Sequence, residues 1–155
     1  MQIQALDPRS QAAMSLLAQS DAYMASLSAA SGDAAQSPQA LAQPQVLFLG
    51  VWMAEWLAGC GAVAVVKDDA DEPYGEIQRM FVHPQFRGRG LSKVLVEQLE
   101  AHLRAKGIPV VRLETGVHQP EALALYERMG YDRREPFRAH MQDPRSIFME
   151  KRLNN

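Results

Sequence analysis

Residues 74–107 restrict the fold more than any other stretch, because three patterns follow one another there without a break. Tyr-Gly-Glu-Ile-Gln-Arg-Met-Phe-Val, residues 74–82, alternates as a strand does. The alternation predicts Ile77 and Phe81 on one face and Glu76, Gln78, Met80 and Val82 on the other. From residue 88 to 106, Leu91, Val94, Leu95, Leu99 and Leu103 fall on one helical stripe, which Gly107 closes. Between strand and helix stands Gln85-Phe86-Arg87-Gly88-Arg89-Gly90, with Lys93 just beyond. Glycine weakens a helix, and like charges this close repel. A bound anion offsets both costs. A helix start leaves backbone N–H groups unpaired and carries partial positive charge, and glycine lets an oxyanion approach that backbone with no Cβ in the way. The N–H groups of residues 87–92, with the side chains of Arg87 and Arg89, are therefore expected to hold a diphosphate.

Two familiar phosphate motifs do not account for this turn. The P-loop spacing G-x-x-x-x-G-K-[ST] is absent. Gly88-Arg89-Gly90 supplies the first half of a dinucleotide fingerprint, but Lys93 stands where its third glycine belongs, and His83-Pro84 separates the strand from the glycines.

The flanking segments fill in the architecture. Residues 8–28 predict a helix capped by Asp7, with Pro8 in its first turn and Met14, Leu17, Met24 and Leu27 at helical spacing. Residues 28–45 read as a loop with a short helical turn near Gln39–Leu41. Residues 46–66 have the length of a membrane span, but Gly50, Gly59 and Gly61 interrupt them and no basic cluster flanks them. Two buried strands joined at Ala54–Glu55 explain them better. Residues 67–73 form an acidic turn, and 109–116 a short apolar strand. Residues 120–130 form a helix between Pro120 and Gly130, 131–137 a loop or short strand, and 146–153 a last strand. This order predicts an α/β or α+β fold with a mixed sheet, one domain over residues 1–155.

Composition narrows the function. A formal net charge of −2 argues against a dedicated nucleic-acid binder, whose basic footprint would be global; here the positive charge is local, around residues 79–93. Cys60 is the only cysteine, which fits a reducing compartment. The N-terminus has no basic segment followed by an apolar core, so a cytoplasmic protein without a membrane partner is expected.

Gln85-Phe86-Arg87-Gly88-Arg89-Gly90 resembles the Q/R-x-x-G-x-G/A signature of the GNAT acetyltransferase superfamily, and it stands after a strand and ahead of a long helix, as it does there. LETGVHQPEALALYERMGYDRREPF and SIFMEKRL are similar to the family's C-terminal half, so the resemblance covers residues 46–153. It implies a central mixed, mostly antiparallel sheet flanked by helices, acetyl-CoA as co-substrate and no metal. It also implies direct acetyl transfer to a primary amine in a ternary complex, with dimers common among relatives. One departure is Gly116-Val117-His118-Gln119, where many relatives carry an asparagine that contacts the cofactor.

The resemblance further implies roles for particular residues. Met80, Phe81 and Val82 hold the pantetheine arm and polarise the acetyl carbonyl. Arg87, Gly88, Arg89, Gly90, Leu91 and Ser92 cradle the diphosphate. Glu76 is the candidate base that takes the amine's proton, directly or through water, with Glu114 the runner-up and His83 and His118 further choices. Tyr126 is the candidate acid beside the cofactor's sulfur; a core aromatic in an Ala122, Tyr126, Met129 stripe is its other reading. Cys60, in an apolar strand, reads as a buried thiol and not a nucleophile. Trp52, Trp56, Tyr23 and Phe137 read as core, with Tyr23 and Phe137 alternatively lining an acceptor pocket. Arg133, Arg134 and Arg138 are either a solvated basic loop or a site for an acceptor carboxylate. The acceptor is expected to be a small or amino-acid-like amine. A protein N-terminus or lysine is the alternative, and a CoA-binding regulator without catalysis is the rival from another class.

Overall fold

A computed structural model describes residues 1–27, 36–67, 72–137 and 144–153. Its strands are β1 (Gln2–Ala5), β2 (Val46–Met53), β3 (Trp56–Val66), β4 (Tyr74–Val82), β5 (Val110–Gly116), β6 (Asp132–Arg134) and β7 (Ser146–Arg152). Its helices are α1 (Gln11–Leu27), α2 (Pro38–Leu41), α3 (Leu91–Ala105) and α4 (Pro120–Arg128). The strands form one sheet in the order β1-β2-β3-β4-β5-β7-β6. Its pairings are antiparallel except β4 with β5. This is the mixed sheet that the order of elements predicts, and the mostly antiparallel form with flanking helices that the family resemblance implies.

Local chemistry sets the element ends. Ser10, and not Asp7, caps α1: its hydroxyl accepts from the Ala13 N–H at 3.3 Å, while Asp7 accepts from Arg9 N–H one turn earlier. The stripe that α1 buries is Ala13, Leu16, Leu17 and Ser20; Met14 and Met24 face solvent instead of the core. The helical turn near Gln39–Leu41 is α2, capped by the Ser37 hydroxyl. The strands of residues 46–66 meet at Ala54–Glu55, with Met53 opposite Trp56 and Ala54 at φ 54°. β1 is an edge strand that the helical reading of the N-terminus did not include.

Two apolar layers sandwich the sheet. On one face α3 presents Leu91, Leu95, Val96, Leu99 and Leu103 to Leu49, Val51, Val63, Ile77, Val82, Val111 and Leu113, and Tyr126 of α4 joins them. Each such aliphatic side chain contributes about 1.5–3 kcal/mol when fully buried. On the other face α1 and α2 cover Phe48, Cys60, Ala62 and Phe81.

Ile77 and Phe81 therefore lie on opposite faces, contrary to the alternation read from the sequence. A β-bulge is the cause. Gln78 pairs with Ala62 and Phe81 with Cys60, so β4 carries one more residue than β3 across this interval, and Arg79 takes a left-handed φ of 58°. Beyond the bulge the order of faces inverts: Met80 and Val82 turn to the α3 side, and Arg79 and Phe81 to the α1 side. Gly61 of β3 leaves room at this point for the Met80 side chain, whose sulfur occupies the place of a Cβ and would have to move if one were added.

Candidate active site

Strands β4 and β5 begin side by side and then separate. They pair through Tyr74–Val110, Gly75–Val111 and Glu76–Arg112 only, although β4 runs on to Val82 and β5 to Gly116. From Ile77 onward the β4 edge facing β5 has no strand partner among the described residues. The opened stretch includes Met80, Phe81 and Val82, the residues expected to hold the pantetheine arm.

The glycine turn closes one end of this gap. Pro84–Phe86 form a 3-10 turn that His83 caps, its Nδ1 accepting from the Gln85 N–H at 3.1 Å. That is a loop-building role for His83. Gly88 and Gly90 sit at φ 80° and 74°, and a Cβ built on either meets nothing within 4 Å. The concave side of the turn is thus open, and glycine keeps it so. Among the described residues no backbone carbonyl accepts from the N–H groups of residues 88–93; the first helical bond runs from Val94 N–H to the Gly90 carbonyl. The donor set lies one residue later than predicted, because the Arg87 N–H turns back to the Pro84 carbonyl at 3.4 Å. Leu91 buries its side chain under α3 while its N–H stays in the cradle, and Ser92 is half-buried beside it. Arg89 is exposed, its guanidinium 5.4 Å from the Phe86 ring centre. These residues fit a diphosphate: free amides, positive helix end, and space where side chains would otherwise be.

The Arg87 side chain makes its contacts toward the α1 side of the sheet. Its Nε–H donates to the Val82 carbonyl at 3.0 Å, and its guanidinium carbon lies 4.7 Å over Tyr23 and 5.6 Å over Phe81. Tyr23 and Phe81 belong to the α1 side of the sheet, whereas α3, which begins the cradle, packs on the other.

The titratable candidates divide between the two faces. Glu76 lies between Gly75, whose Cβ would strike Leu103 of α3, and Ile77, which packs under α3; its side chain is therefore on the α1 face, and it is 5% exposed. Glu114, flanked by Leu113 of the α3-side core, is on that α1 face too, and accepts from the Ser146 hydroxyl at 2.6 Å. Tyr126 belongs to the α3-side core with Ala122 and Met129, is 5% exposed, and meets Tyr131 edge-on at 5.5 Å. Burial pushes the Tyr126 hydroxyl above the usual tyrosine range, which keeps it protonated. The carboxylates and the phenol thus lie on opposite faces of the sheet.

Other candidates find structural places. Cys60 is fully buried; desolvation, opposed weakly by Arg79, pushes its thiol up to about 12, so it is inert as a nucleophile. Phe137 is core, edge-on to Tyr74 and Phe148. Trp56 is 62% exposed, against the expectation of a core residue, and Trp52 is half-buried. Arg134 is bound to Glu150 at 2.6 Å and so is not open to an acceptor; Arg133 and His118 are exposed, and Arg138 lies outside the described residues. Sequence reasoning missed Arg79, which ties the bulge to α1 through Asp21 at 2.6 Å and to the Gln36 carbonyl at 3.1 Å. It also missed Ser146, the Glu114 partner. Neither contact leaves a local sequence signal.

Comparison with known proteins settles the family. Residues 16–131 match the model of the acetyltransferase (GNAT) family. The chain belongs to that family. It is 38% identical to the IAA acetyltransferase of Azospirillum brasilense over 146 residues, 94% of each chain. A solved structure from Klebsiella pneumoniae, ascribed to the acyl-CoA N-acyltransferases, superposes with a TM-score of 0.79 at 34% identity, covering 99% of this chain and 97% of that one. The PaiA N-acetyltransferase of Thermoplasma acidophilum, solved with coenzyme A, shares the fold at a TM-score of 0.60 and 21% identity, covering 70% and 62%. The GNAT chain described here is an acyltransferase. Among its described residues no helix is long and apolar enough to cross a membrane, and no group of three His, Cys, Asp or Glu side chains is arranged to hold a metal ion.

Proposed function

We propose that this GNAT chain transfers the acetyl group of acetyl-CoA directly to the primary amine of a small molecule. The observation that carries this reading is the gap between β4 and β5, with the amide cradle at one end and carboxylates and a phenol on opposite faces. The small-molecule acceptor is supported by the resemblance to an IAA acetyltransferase over nearly the whole of both chains.

In this reading the amides of residues 88–93 bind the diphosphate. The free edge of Met80–Val82 aligns the pantetheine arm and polarises the thioester carbonyl. Bound acetyl-CoA supplies the activated acetyl group. The amine enters from the α1 face, where Glu76 removes its proton, directly or through water. Tyr126, protonated on the α3 side, returns a proton to the departing thiolate. The amine adds to a face of the thioester carbonyl, and as the tetrahedral adduct collapses the C–S bond breaks; a base and an acid in separate places let one group take the amine's proton while another protonates the thiolate.

The test is a panel of small amines and free-N-terminal peptides with purified protein and acetyl-CoA, read as CoA thiol release. Release with a small amine supports the reading. Release with peptides alone moves the acceptor to protein N-termini. Release with none, from folded protein that binds CoA, overturns acetyl transfer in favour of a regulatory CoA-binding role.

A further inference from the structure

We infer that Arg87 belongs to the acceptor side of the site and binds a carboxylate carried by the acceptor, so that the amine acetylated is part of an amino acid or a similar zwitterion. The inference rests on the acetyl-transfer reading above and names the class of acceptor it takes.

The Arg87 side chain is exposed, and three groups orient its guanidinium. The Val82 carbonyl holds its Nε–H, and the rings of Tyr23 and Phe81 lie 4.7 Å and 5.6 Å from its central carbon. A planar cation stacked on aromatic faces has few orientations left. Nε uses one of five donors, so four N–H groups remain on the two terminal nitrogens. Among the described residues those nitrogens have no acceptor. This fork matches the two oxygens of a carboxylate, and little rotamer freedom is left for it to lose on binding.

Other arginines on this face are already committed. Arg79 pairs with Asp21, and Arg112 and Arg134 both pair with Glu150. Arg87 is exposed, and it is positioned by a carbonyl and two rings and by no carboxylate. Its open donors face solvent, where an acceptor carboxylate can replace water on them.

The charge distribution fits the same ligand. Glu76 and Glu114 lie on the α1 face along the gap and favour an ammonium there. Arg87 stands at the Val82 end of that face and favours a carboxylate. Tyr23, exposed and stacked on Arg87, forms a wall beside it. An acceptor whose amine lies at the open Met80–Val82 edge brings a carboxylate a few bonds away within reach of Arg87, while Glu76, six residues back along β4 from Val82, sets the negative potential of that face. The diphosphate does not require Arg87, because its cradle is made of the amides of residues 88–93 on the α3 side.

The experiment compares α- and ω-amino acids, each beside its carboxamide, with the parent protein, Arg87→Ala and Arg87→Lys at saturating acetyl-CoA. Acetyl-CoA affinity is measured separately by calorimetry. In the parent, kcat/KM should favour the free acid over the carboxamide by about 10- to 100-fold, the range for a charge-assisted pair. Arg87→Ala should bring that preference close to one. Arg87→Lys should restore part of it, since lysine keeps the charge and loses the fork. Equal use of acid and carboxamide by the parent overturns the inference. So does an Arg87→Ala defect that weakens acetyl-CoA binding and both acceptors alike, which assigns Arg87 to the diphosphate. If no amine is acetylated, acetyl transfer itself fails, and the carboxylate site is read by titrating N-acetylated amino acids into CoA-saturated protein. Binding that depends on Arg87 then supports the site, and binding indifferent to the substitution overturns it.

Discussion

Glu76 and Arg112 are the last residues at which β4 and β5 remain paired. Every contact expected of the cofactor arm lies on the far side of this pair, so its rigidity sets where the gap begins. Arg112 is held there by the Tyr74 ring, 4.4 Å from its guanidinium carbon, and by Glu150 at 2.7 Å.

The Glu150 carboxylate makes this junction sensitive to acid. Burial disfavours its charge, but hydrogen bonds from Arg112 and Arg134 outweigh that and hold its pKa below the ordinary 4.5. A depressed pKa means stability that is present above the ordinary value and lost as pH falls below it. Glu150→Gln should therefore lower stability at neutral pH and flatten its decline below about pH 4.5. Urea midpoints from pH 7 to 3 check this; parallel curves for parent and variant would assign the acid sensitivity elsewhere.

Gly90→Asp should abolish acetyl-CoA binding in a folded protein. The new carboxylate would enter open space at the anion site, where it repels phosphate. The left-handed φ of 74° adds about 1–2 kcal/mol of backbone strain. Calorimetry and a thermal melt together decide: intact affinity in a folded variant removes the cradle from the cofactor site.

Glu76→Gln should lower turnover by about 10²–10⁴-fold at neutral pH and recover rate as pH approaches the amine's own pKa, where a base is no longer needed. A pH–rate profile parallel to the parent's would transfer the role to Glu114, and Glu114→Gln should then show the recovery.

Tyr126→Phe keeps the ring against Tyr131 and deletes the hydroxyl, so stability should move by less than about 1.5 kcal/mol. Acetyl-CoA affinity should hold, and kcat should fall by about 10²–10⁴-fold if proton delivery limits the rate. Because burial raises the Tyr126 pKa above 10, the parent should lose no rate to its ionisation at any pH below that value. An unchanged kcat would leave Tyr126 as a core aromatic.

Much of this was legible in the residues themselves. The strand, the glycine turn and the α3 stripe of Leu91, Leu95, Leu99 and Leu103 are local patterns, and the structure bears them out. The bulge was not legible. Period-two reasoning assumes an uninterrupted ladder, and at Arg79 a non-glycine residue takes the left-handed conformation that glycine usually signals. Ile77 and Phe81 consequently exchange their expected relationship. β1 escaped notice because Gln-Ile-Gln-Ala is short, mostly exposed, and a strand only by pairing with β2. The stack of Arg87 on Tyr23 joins residues far apart in sequence, and nothing local to either announces the other.

The burial of Cys60 makes the protein blind to thiol reagents while it is folded. It is the only sulfhydryl of the chain, sealed at 0% exposure and pushed up to about 12. Colour from Ellman-type chemistry during turnover then counts liberated coenzyme alone, with no protein background to subtract. The same chemistry applied to enzyme without substrate becomes a clock for global opening: one equivalent of colour per chain, appearing only as fast as the sheet comes apart.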